Sequence, residues 1–274
     1  MFADLHIHSQ YSDGALTVEE IISKAKVQNI TLISICDHET IDAYLNLDDS
    51  CVDENIKIIS GVEITSIFEN VEYDILGYGF DVRNKPLNDL LRYNREIYID
   101  RGIKLIEKMS ADYKCISVHE FLEYERNRKN GGWESIDYLK SKNIVNNVSD
   151  FFTLANKYNT PLERNFLCAS EVIKIIHDAN GYAVLAHLGV TTKQDLTICK
   201  KIINDFLYMN IDGFECYYPA HSDKITKLLI EFCKEHDLII TAGSDEHGGF
   251  NGEDFYIGGV KIETTQLNLK GLLY

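Results

Sequence analysis

The clearest chemical signal in the sequence is the pair His6 and His8, which flank Ile7 at the end of a short apolar run. Side chains alternate between the two faces of a β-strand, so residues two apart project to the same side. Two imidazoles that project side by side can chelate a metal ion. The sequence therefore begins with a candidate metal site.

Metal-ligating side chains also follow the ends of several other predicted strands. These further residues are Asp37, His38, Glu63, His187, Glu215, Asp245 and His247. In a barrel of parallel strands the carboxyl ends share one face, where active sites are found. A single histidine near a strand end is usually structural, but six of the nine histidines lie at such junctions. The other three, His119, His177 and His236, fall in helical stretches and are interpreted as ordinary structural residues.

The donor types indicate which metals the site could hold. Imidazoles and carboxylates without thiolates suit zinc, manganese or iron, and do not decide among them. The donors exceed what one ion can use, so we predict two or three divalent cations. Ions about 3.5–4 Å apart can share a carboxylate, activate a hydroxide and neutralise charge on phosphoryl oxygens. This chemistry suits the hydrolysis of phosphate esters.

The elements that must position these residues alternate between strand and helix. The predicted strands are 2–6, 31–35, 57–59, 73–76, 182–185, 212–214 and 238–241. Thr17 and Glu20 form a capping-box signal for a helix that extends to about Lys26. From about 87 to 166 the pattern is helical throughout. We therefore predict an α/β barrel formed by 1–86 and 167–274, interrupted by a helical insertion at 87–166.

Charge and composition narrow the partners and the compartment. The 274 residues carry a formal net charge of −16, which disfavours long duplex nucleic acid and fits a small anion neutralised by metal. The seven cysteines are odd in number and lack CxxC spacing, so neither a disulfide framework nor a zinc knuckle is indicated. The start shows no signal-peptide pattern, and no apolar run is long enough to span a membrane. We expect a cytoplasmic protein without a membrane partner.

Six motifs, in order, resemble those of the PHP family, the polymerase and histidinol phosphatase group of metal-dependent phosphoesterases. They read DLHIHSQYSDG, CDHET, GVEIT, AHLG, GFECYYPAHS and GSDEHGG. The resemblance implies a distorted TIM-like (β/α)7 barrel with a multinuclear metal site. The implied ligands are His6, His8, Glu63 and Asp245 for one metal; Asp13, His38 and His187 for a second; and Glu63 with His247 for a third. Asp37 is implied as an acid/base group or as a partner of a ligand.

The YYPAHS segment and the helical insertion resemble one subgroup of this family. It contains nucleoside 3′,5′-bisphosphate phosphatases and exonucleases that trim short oligonucleotides from the 5′ end. In that subgroup the insertion caps the site and supplies phosphate-binding side chains. The chain departs from the pattern at Asp74, where a histidine usually binds the third metal, and at 131–135, where an Arg-Pro-His segment is common.

The resemblance also leads to expectations about individual residues near the metals. Asp74 is expected to remain a metal ligand, since a carboxylate can replace the imidazole. Arg164, at the return from the insertion, is a candidate phosphate contact. Tyr218 and His221 follow the strand that carries Glu215, and both are candidate substrate contacts. His221 is also a candidate proton donor.

The expected activity is hydrolysis of a phosphate ester on a nucleotide, a nucleoside 3′,5′-bisphosphate or the 5′ end of a short oligonucleotide. A phosphatase of histidinol phosphate or another small sugar-like phosphate is the alternative. A barrel amidohydrolase also begins with an HxH pair, but usually bridges its metals with a modified lysine where this chain has Glu63. A catalytically silent metal-binding module would have lost ligands. The sequence leaves the substrate, the metal and the oligomeric state open.

Overall fold

The computed structural model describes residues 1–47, 54–158, 165–250 and 252–273, and its centre is a mixed β-sheet. The strands are β1 (Phe2–Ile7), β2 (Ile30–Ile35), β3 (Lys57–Phe68), β4 (Val71–Tyr78), β5 (Tyr182–Leu185), β6 (Gly213–Tyr217), β7 (Ile239–Ala242) and β8 (Ile262–Glu263). Their order in the sheet is β7-β6-β5-β4-β3-β2-β1-β8. A backbone bridge between Ile7 and Glu246 brings β1 beside the end of β7, so the sheet nearly closes. The predicted α/β barrel class is confirmed.

Two features of the sheet differ from the predicted succession of parallel strands. β4 is antiparallel to both β3 and β5, and the two-residue β8 is antiparallel to β1. β3 is also 12 residues long and continues to Phe68, whereas the predicted strand ended at Ile59. A turn at Glu69 and Asn70, both with positive φ, joins it to β4. Glu63 therefore lies within β3 and not beyond its end.

Helices cover the sheet. In the described ranges the α-helices are α1 (Val18–Val27), α2 (Asp42–Leu45), α3 (Lys85–Met109), α4 (Val118–Leu122), α5 (Glu134–Ser141), α6 (Val148–Lys157), α7 (Ala169–Asp178), α8 (Leu188–Thr191), α9 (Leu196–Tyr208) and α10 (Asp223–Glu235). α1 begins at the predicted capping box, in which the Thr17 side chain accepts the Glu20 N–H and the Glu20 carboxylate accepts the Thr17 N–H. Its apolar face, which includes Ile21 and Ala25, is buried against the sheet.

α3 is the longest helix, with 25 residues. Its N-cap is Asn84, whose side chain accepts the N–H of Leu87 at 3.0 Å. Pro86 follows in the first turn, where the N–H that proline lacks would have no helical partner. Among the described residues, no helix combines the length and the apolar character that crossing a membrane requires.

The segment from α3 to α6, residues 85–158, is called the helical segment below. It contains no strand, and all of its residues are described. It has its own apolar cluster, formed by Ile106, Met109, Ile116, Phe121, Ile136, Tyr138, Leu139 and Val145. The barrel strands and their covering helices bury other clusters, one of which also includes Leu87, Leu90 and Leu91 from the start of α3. This second core supports the predicted division into a barrel and an insertion at 87–166, which we retain as a proposal.

Candidate metal centre

The first donor group lies where β1, β3 and the loop after β7 meet. It consists of four buried side chains, His6, His8, Glu63 and Asp245. Nε2 of His6 lies 3.1 Å from Nε2 of His8 and 3.1 Å from Oε2 of Glu63. Oδ1 of Asp245 lies 3.1 Å from Nε2 of His8. Such spacings are close to the edges of roughly 3.3 Å expected for a tetrahedral zinc site with bonds of about 2.0 Å.

Two barrel residues orient this first group. His6 donates from Nδ1 to Oε1 of Glu215 at 3.0 Å, and the other oxygen of Glu215 accepts the backbone N–H of His187 at 2.9 Å. Tyr218 donates its hydroxyl to Oδ2 of Asp245 at 2.8 Å. A carboxylate behind a ligating histidine fixes the tautomer and the orientation of the ring. Glu215 and Tyr218 therefore hold the ligands in place from the barrel side.

The second donor group lies on the loops that follow β1, β2 and β7. Its members are His8, Asp13, His38 and His247. Nε2 of His247 lies 3.3 Å from Oδ1 of Asp13, and the His247 ring stacks on that of His8 at 3.9 Å. Nε2 of His8 already points into the first group. We therefore propose Asp13, His38 and His247 as the donors at this second position.

Glu63 links the first donor group to a third. The third group contains His38, Glu63 and Asp74. Nε2 of His187 lies 2.8 Å from Oε1 of Glu63 and 3.8 Å from Oδ2 of Asp74. The hydroxyl of Thr65 donates to the other oxygen of Asp74 at 2.7 Å. We propose Glu63, Asp74 and His187 as the donors at this third position.

This geometry groups two histidines differently from the pattern implied by the resemblance. His187 follows β5, which pairs with the strand that carries Asp74, so it lies beside Asp74 and Glu63 and not with Asp13. His247 follows β7 and reaches the loop after β1, so it lies beside Asp13. All nine expected donors nevertheless converge in one region.

The backbone at two of these donors is unusual. Asp245 has a φ of 53° and His187 a φ of 25°. Positive φ values are uncommon for residues other than glycine. Conformations of this kind persist where the surrounding structure enforces them, often at functional sites. Here they turn both side chains toward the shared centre.

The charge balance of the donors fits metal ions. Burial alone would lower the pKa of His6, but the carboxylates of Glu63 and Glu215 raise it well above its usual value. Burial opposes the shift of His187 as well, and Glu63 raises its pKa to about 9. Without a cation, these buried imidazoles would hold protons to balance the carboxylates, and metal binding releases such protons. Nδ1 of His38 is buried without a hydrogen-bond partner in the described part of the chain.

Comparison with known proteins identifies the family. The PHP domain profile matches residues 4–180, well over half of the 274 residues. The chain belongs to the PHP domain family. This membership confirms the resemblance inferred from the ordered motifs.

Two relatives of this PHP protein and one solved structure match nearly its whole length. A 5′-3′ exoribonuclease of Haemophilus influenzae is 27% identical over 89% of this chain and 89% of its own. A 3′,5′-nucleoside bisphosphate phosphatase of Chromobacterium violaceum is 27% identical over 92% of this chain and 89% of its own. A structure described as a metal-dependent phosphoesterase, from Bifidobacterium adolescentis, aligns with a TM-score of 0.82 at 23% identity over 96% of this chain and 93% of that one, which shows the shared fold. Family, donor set and relatives agree on metal-dependent phosphoester hydrolysis.

The PHP centre opens onto a cavity of about 810 Å³ between the barrel and the helical segment. Donors from all three groups form its floor. The helical segment contributes the facing wall, which includes Tyr98, Arg101, Lys104, Leu105, Trp133, Ile136, Phe151 and Phe152. Cavities of roughly 300–1,000 Å³ enclose small-molecule ligands. The space therefore suits a molecule of nucleotide size.

The wall that the helical segment contributes contains aromatic and cationic side chains. Tyr98 and Trp133 stack with ring centroids 4.5 Å apart and planes at 7°, and the Trp133 ring lies 5.8 Å from that of His38. Arg101 pairs through both terminal nitrogens with the Glu72 carboxylate. Trp133 lies in the stretch 131–135 that corresponds to the subgroup's Arg-Pro-His segment, so the resemblance points to this stretch. Tyr98 carries no such signal, because α3 contains a second tyrosine, Tyr93, that the sequence does not distinguish from it.

Asp37, expected as an acid/base group or as a ligand's partner, supports the loop that carries Asp13. It accepts the backbone N–H of Ser9 at 2.7 Å, the Ser9 hydroxyl at 2.6 Å and the Ser12 hydroxyl at 2.5 Å. These three bonds occupy both carboxylate oxygens. The geometry favours a supporting role for Asp37 over proton transfer to a substrate.

Tyr218 and His221 also support the PHP centre and are not among the residues that line the cavity. Nε2 of His221 accepts the N–H of Gly189 at 3.0 Å, so that nitrogen carries no proton to donate. Its Nδ1 faces the carbonyl of Cys216 at 3.3 Å. These contacts favour positioning of the loop after His187 over the predicted substrate contact. Arg164 lies outside the described residues.

Proposed function

We propose that this PHP protein removes a terminal phosphate from a small nucleotide-like molecule. The observation that carries the proposal is the placement of three adjoining donor groups on the floor of one cavity. A substrate phosphate that reaches the donors leaves the rest of the molecule against the wall of the helical segment. The proposal combines the confirmed phosphoesterase chemistry with the size of the available space.

The donor set fits two or three divalent ions, and the sequence alone leaves zinc, manganese and iron open. When bound, such ions neutralise phosphoryl charge and activate water for attack. Glu63 lies between the first and third groups and can contribute one oxygen to each. Glu215 fixes the ring of His6, and Tyr218 fixes the carboxylate of Asp245.

The aromatic pair supports a substrate that carries a base. The Tyr98–Trp133 stack lies beside His38, whose ring is 5.8 Å from that of Trp133, so it is close to the donors. A base stacked on an aromatic side chain contributes about 1–3 kcal/mol. A histidinol or sugar phosphate would use less of this surface. The named activities of the Chromobacterium violaceum and Haemophilus influenzae relatives support nucleotide substrates as well.

The wall also supports a preference for short substrates. The helical segment closes one side of the cavity, and the net charge of −16 offers few cations to a long phosphate backbone. Lys104 and Arg101 are the cationic residues among those that line the cavity. Lys104 could pair with the second phosphate of a nucleoside bisphosphate, whereas the guanidinium of Arg101 is already paired with Glu72.

A side-by-side assay under one metal condition tests this proposal. The substrates are a nucleoside 3′,5′-bisphosphate, a short 5′-phosphorylated oligonucleotide, a long single strand and histidinol phosphate. We expect the highest kcat/KM on the bisphosphate or the short oligonucleotide. Internal cleavage of the long strand as the preferred reaction would reject the size argument. Preference for histidinol phosphate would reject the role of the base.

A further inference from the structure

The loop that carries Asp13 lies between the barrel and the helical segment, and its outer side is held by the latter. The carbonyl oxygens of four consecutive residues, 10–13, each accept a hydrogen bond from the helical segment. The donors are Arg128 to Gln10 at 2.8 Å, Arg95 to Tyr11 at 3.3 Å, Arg126 to Ser12 at 2.6 Å and the backbone N–H of Gly132 to Asp13 at 2.6 Å. Four successive carbonyls bound from one side fix the path of the loop.

Arg126 is the buried member of these three arginines. Its side chain is 4% exposed, and its nearest carboxylate oxygen, on Glu134, lies 3.9 Å from Nε. Its two terminal nitrogens donate to the carbonyls of Ser12 and Gly132. Burying a charge is unfavourable unless its partners compensate. The partners of Arg126 are backbone groups on both sides of the contact, so it joins the metal-site loop to the helical segment.

Gly131 and Gly132 allow the same close approach. Both have positive φ, 64° and 78°, which glycine adopts without strain. A Cβ on Gly131 would lie 3.3 Å from the carbonyl oxygens of Asp13 and of His247. These two residues are donors of the second group. The helical segment thus contacts the backbone of both donors directly.

The inner side of the same loop is held from the barrel, since Asp37 accepts hydrogen bonds from Ser9 and Ser12. The loop is therefore fixed between two supports that belong to different parts of the chain. The first group has its supports in the barrel, from Glu215 and Tyr218. The third is supported by Thr65 of β3, whose hydroxyl is also hydrogen-bonded to that of Tyr98 on α3 at 2.7 Å.

We propose that Arg126, assisted by Arg95 and Arg128, is a positioning residue for the metal held by Asp13, His38 and His247. Occupancy of this position depends on the arginines of the helical segment, whereas the first position depends on the barrel. The inference rests on the proposed function insofar as it takes the donor groups to be metal sites. Groups that orient ligands typically change metal affinity by about 10–100-fold when they are removed.

The test compares Arg126→Met and Arg126→Lys with the wild-type chain and with Arg92→Met. Arg92 lies on α3, is exposed and pairs with Asp89 away from the centre. Bound manganese is counted after dialysis, and manganese alone is titrated to obtain each dissociation constant. We expect Arg126→Met to lose about one ion per chain and to bind the weakest ion at least about tenfold less tightly. Saturating manganese should restore most of kcat.

The lysine variant distinguishes positioning from charge. A lysine is a point charge and cannot span two carbonyls as the guanidinium does. The manganese affinity of Arg126→Lys should therefore lie between those of wild type and Arg126→Met. Arg92→Met should match wild type. Retention of all ions with unchanged affinities in Arg126→Met would overturn the inference, and so would loss of all ions together. Wild-type protein with one ion or none would instead reject the multinuclear site itself.

A second variant keeps the test decisive if Arg126→Met does not fold by circular dichroism. Arg95→Met combined with Arg128→Ala removes two of the outer hydrogen bonds and leaves the buried Arg126 in place. Manganese affinity at that same position should then fall by a smaller factor, roughly threefold to tenfold. Unchanged manganese affinities in this double variant would reject the inference.

Discussion

The two sides of the metal centre are built by different means. On one side, His6 and Glu63 lie on strands, and Glu215 and Tyr218 of the barrel hold the first group. On the other side, Asp13 lies on a loop that Asp37 holds from within and arginines of the helical segment hold from outside. The barrel alone can thus organise the first position. The second position joins the barrel to the helical segment.

The largest effects are expected when a metal donor itself is replaced, on either side. Asp245→Asn removes a charge from the first group and from the acceptor of Tyr218, and should lower turnover by more than about a hundredfold because the ions supply both nucleophile and charge stabilisation. His38→Ala removes a donor of the second group, and its loss of turnover should be of the same size. The measurement is kcat on a nucleotide monoester, with circular dichroism to confirm folding.

His119→Ala is the matched control for both substitutions. The His119 side chain is 83% exposed on α4, and the variant should retain wild-type turnover. Similar losses in all three folded variants would mean that the donor assignment is wrong.

A smaller effect is expected when a ligand's partner changes and the ligand stays. Glu215→Gln keeps an oxygen for the N–H of His187 but removes the charge behind His6. We expect metal affinity at the first position to fall by about 10–100-fold. The ion lost should differ from the one that depends on Arg126, which competition titrations with manganese can show. Loss of the same ion in both variants would erase the distinction between the two sides.

The smallest effect concerns the wall of the cavity. Trp133→Leu removes the surface that stacks on Tyr98, and should raise KM for a nucleoside bisphosphate by about tenfold, consistent with 1–3 kcal/mol per stacked base. The kcat on ribose 5-phosphate, which lacks a base, should stay within about twofold. An equal change on both substrates would assign Trp133 to support of the metal centre, and would contradict a role in base binding.

The barrel side could be predicted from the sequence because strand periodicity is local. His6 and His8 are two residues apart, and that spacing alone directs both rings to one face. The β3–β4 hairpin could not be predicted in the same way. Its turn places Glu69 and Asn70 at positive φ, and glutamate at the first of these positions is not the usual Asn-Gly or Asp-Gly signal. The sequence pattern therefore does not predict the length of β3 or the antiparallel direction of β4.

The loop side could be predicted only in part. The identity of Asp13 and His247 as donors followed from the family motifs, but their pairing depends on how the loops after β1 and β7 approach each other. The contacts from Arg95, Arg126 and Arg128 end on backbone carbonyls, which every residue has. Because the acceptor is a backbone group, the sequence contains no acidic residue that would mark the partner of each arginine. An arginine that binds a carbonyl therefore looks like any surface arginine until the fold is known.

The path of α3 has a consequence for how this enzyme could diverge. Asn94, part-way along it, donates to the carbonyl of Thr65 at 2.9 Å and to Glu39 at 3.1 Å, which attaches the helix to β3. Farther along, Tyr98 faces the cavity and Ile106 enters the core of the helical segment. Substitutions of cavity-lining residues beyond α3, such as Phe151 and Phe152, can alter substrate preference with little disturbance of the ions. Substitutions in α3 would alter catalysis, specificity and folding together, so new specificities should arise first in the later helices, while α3 evolves slowly.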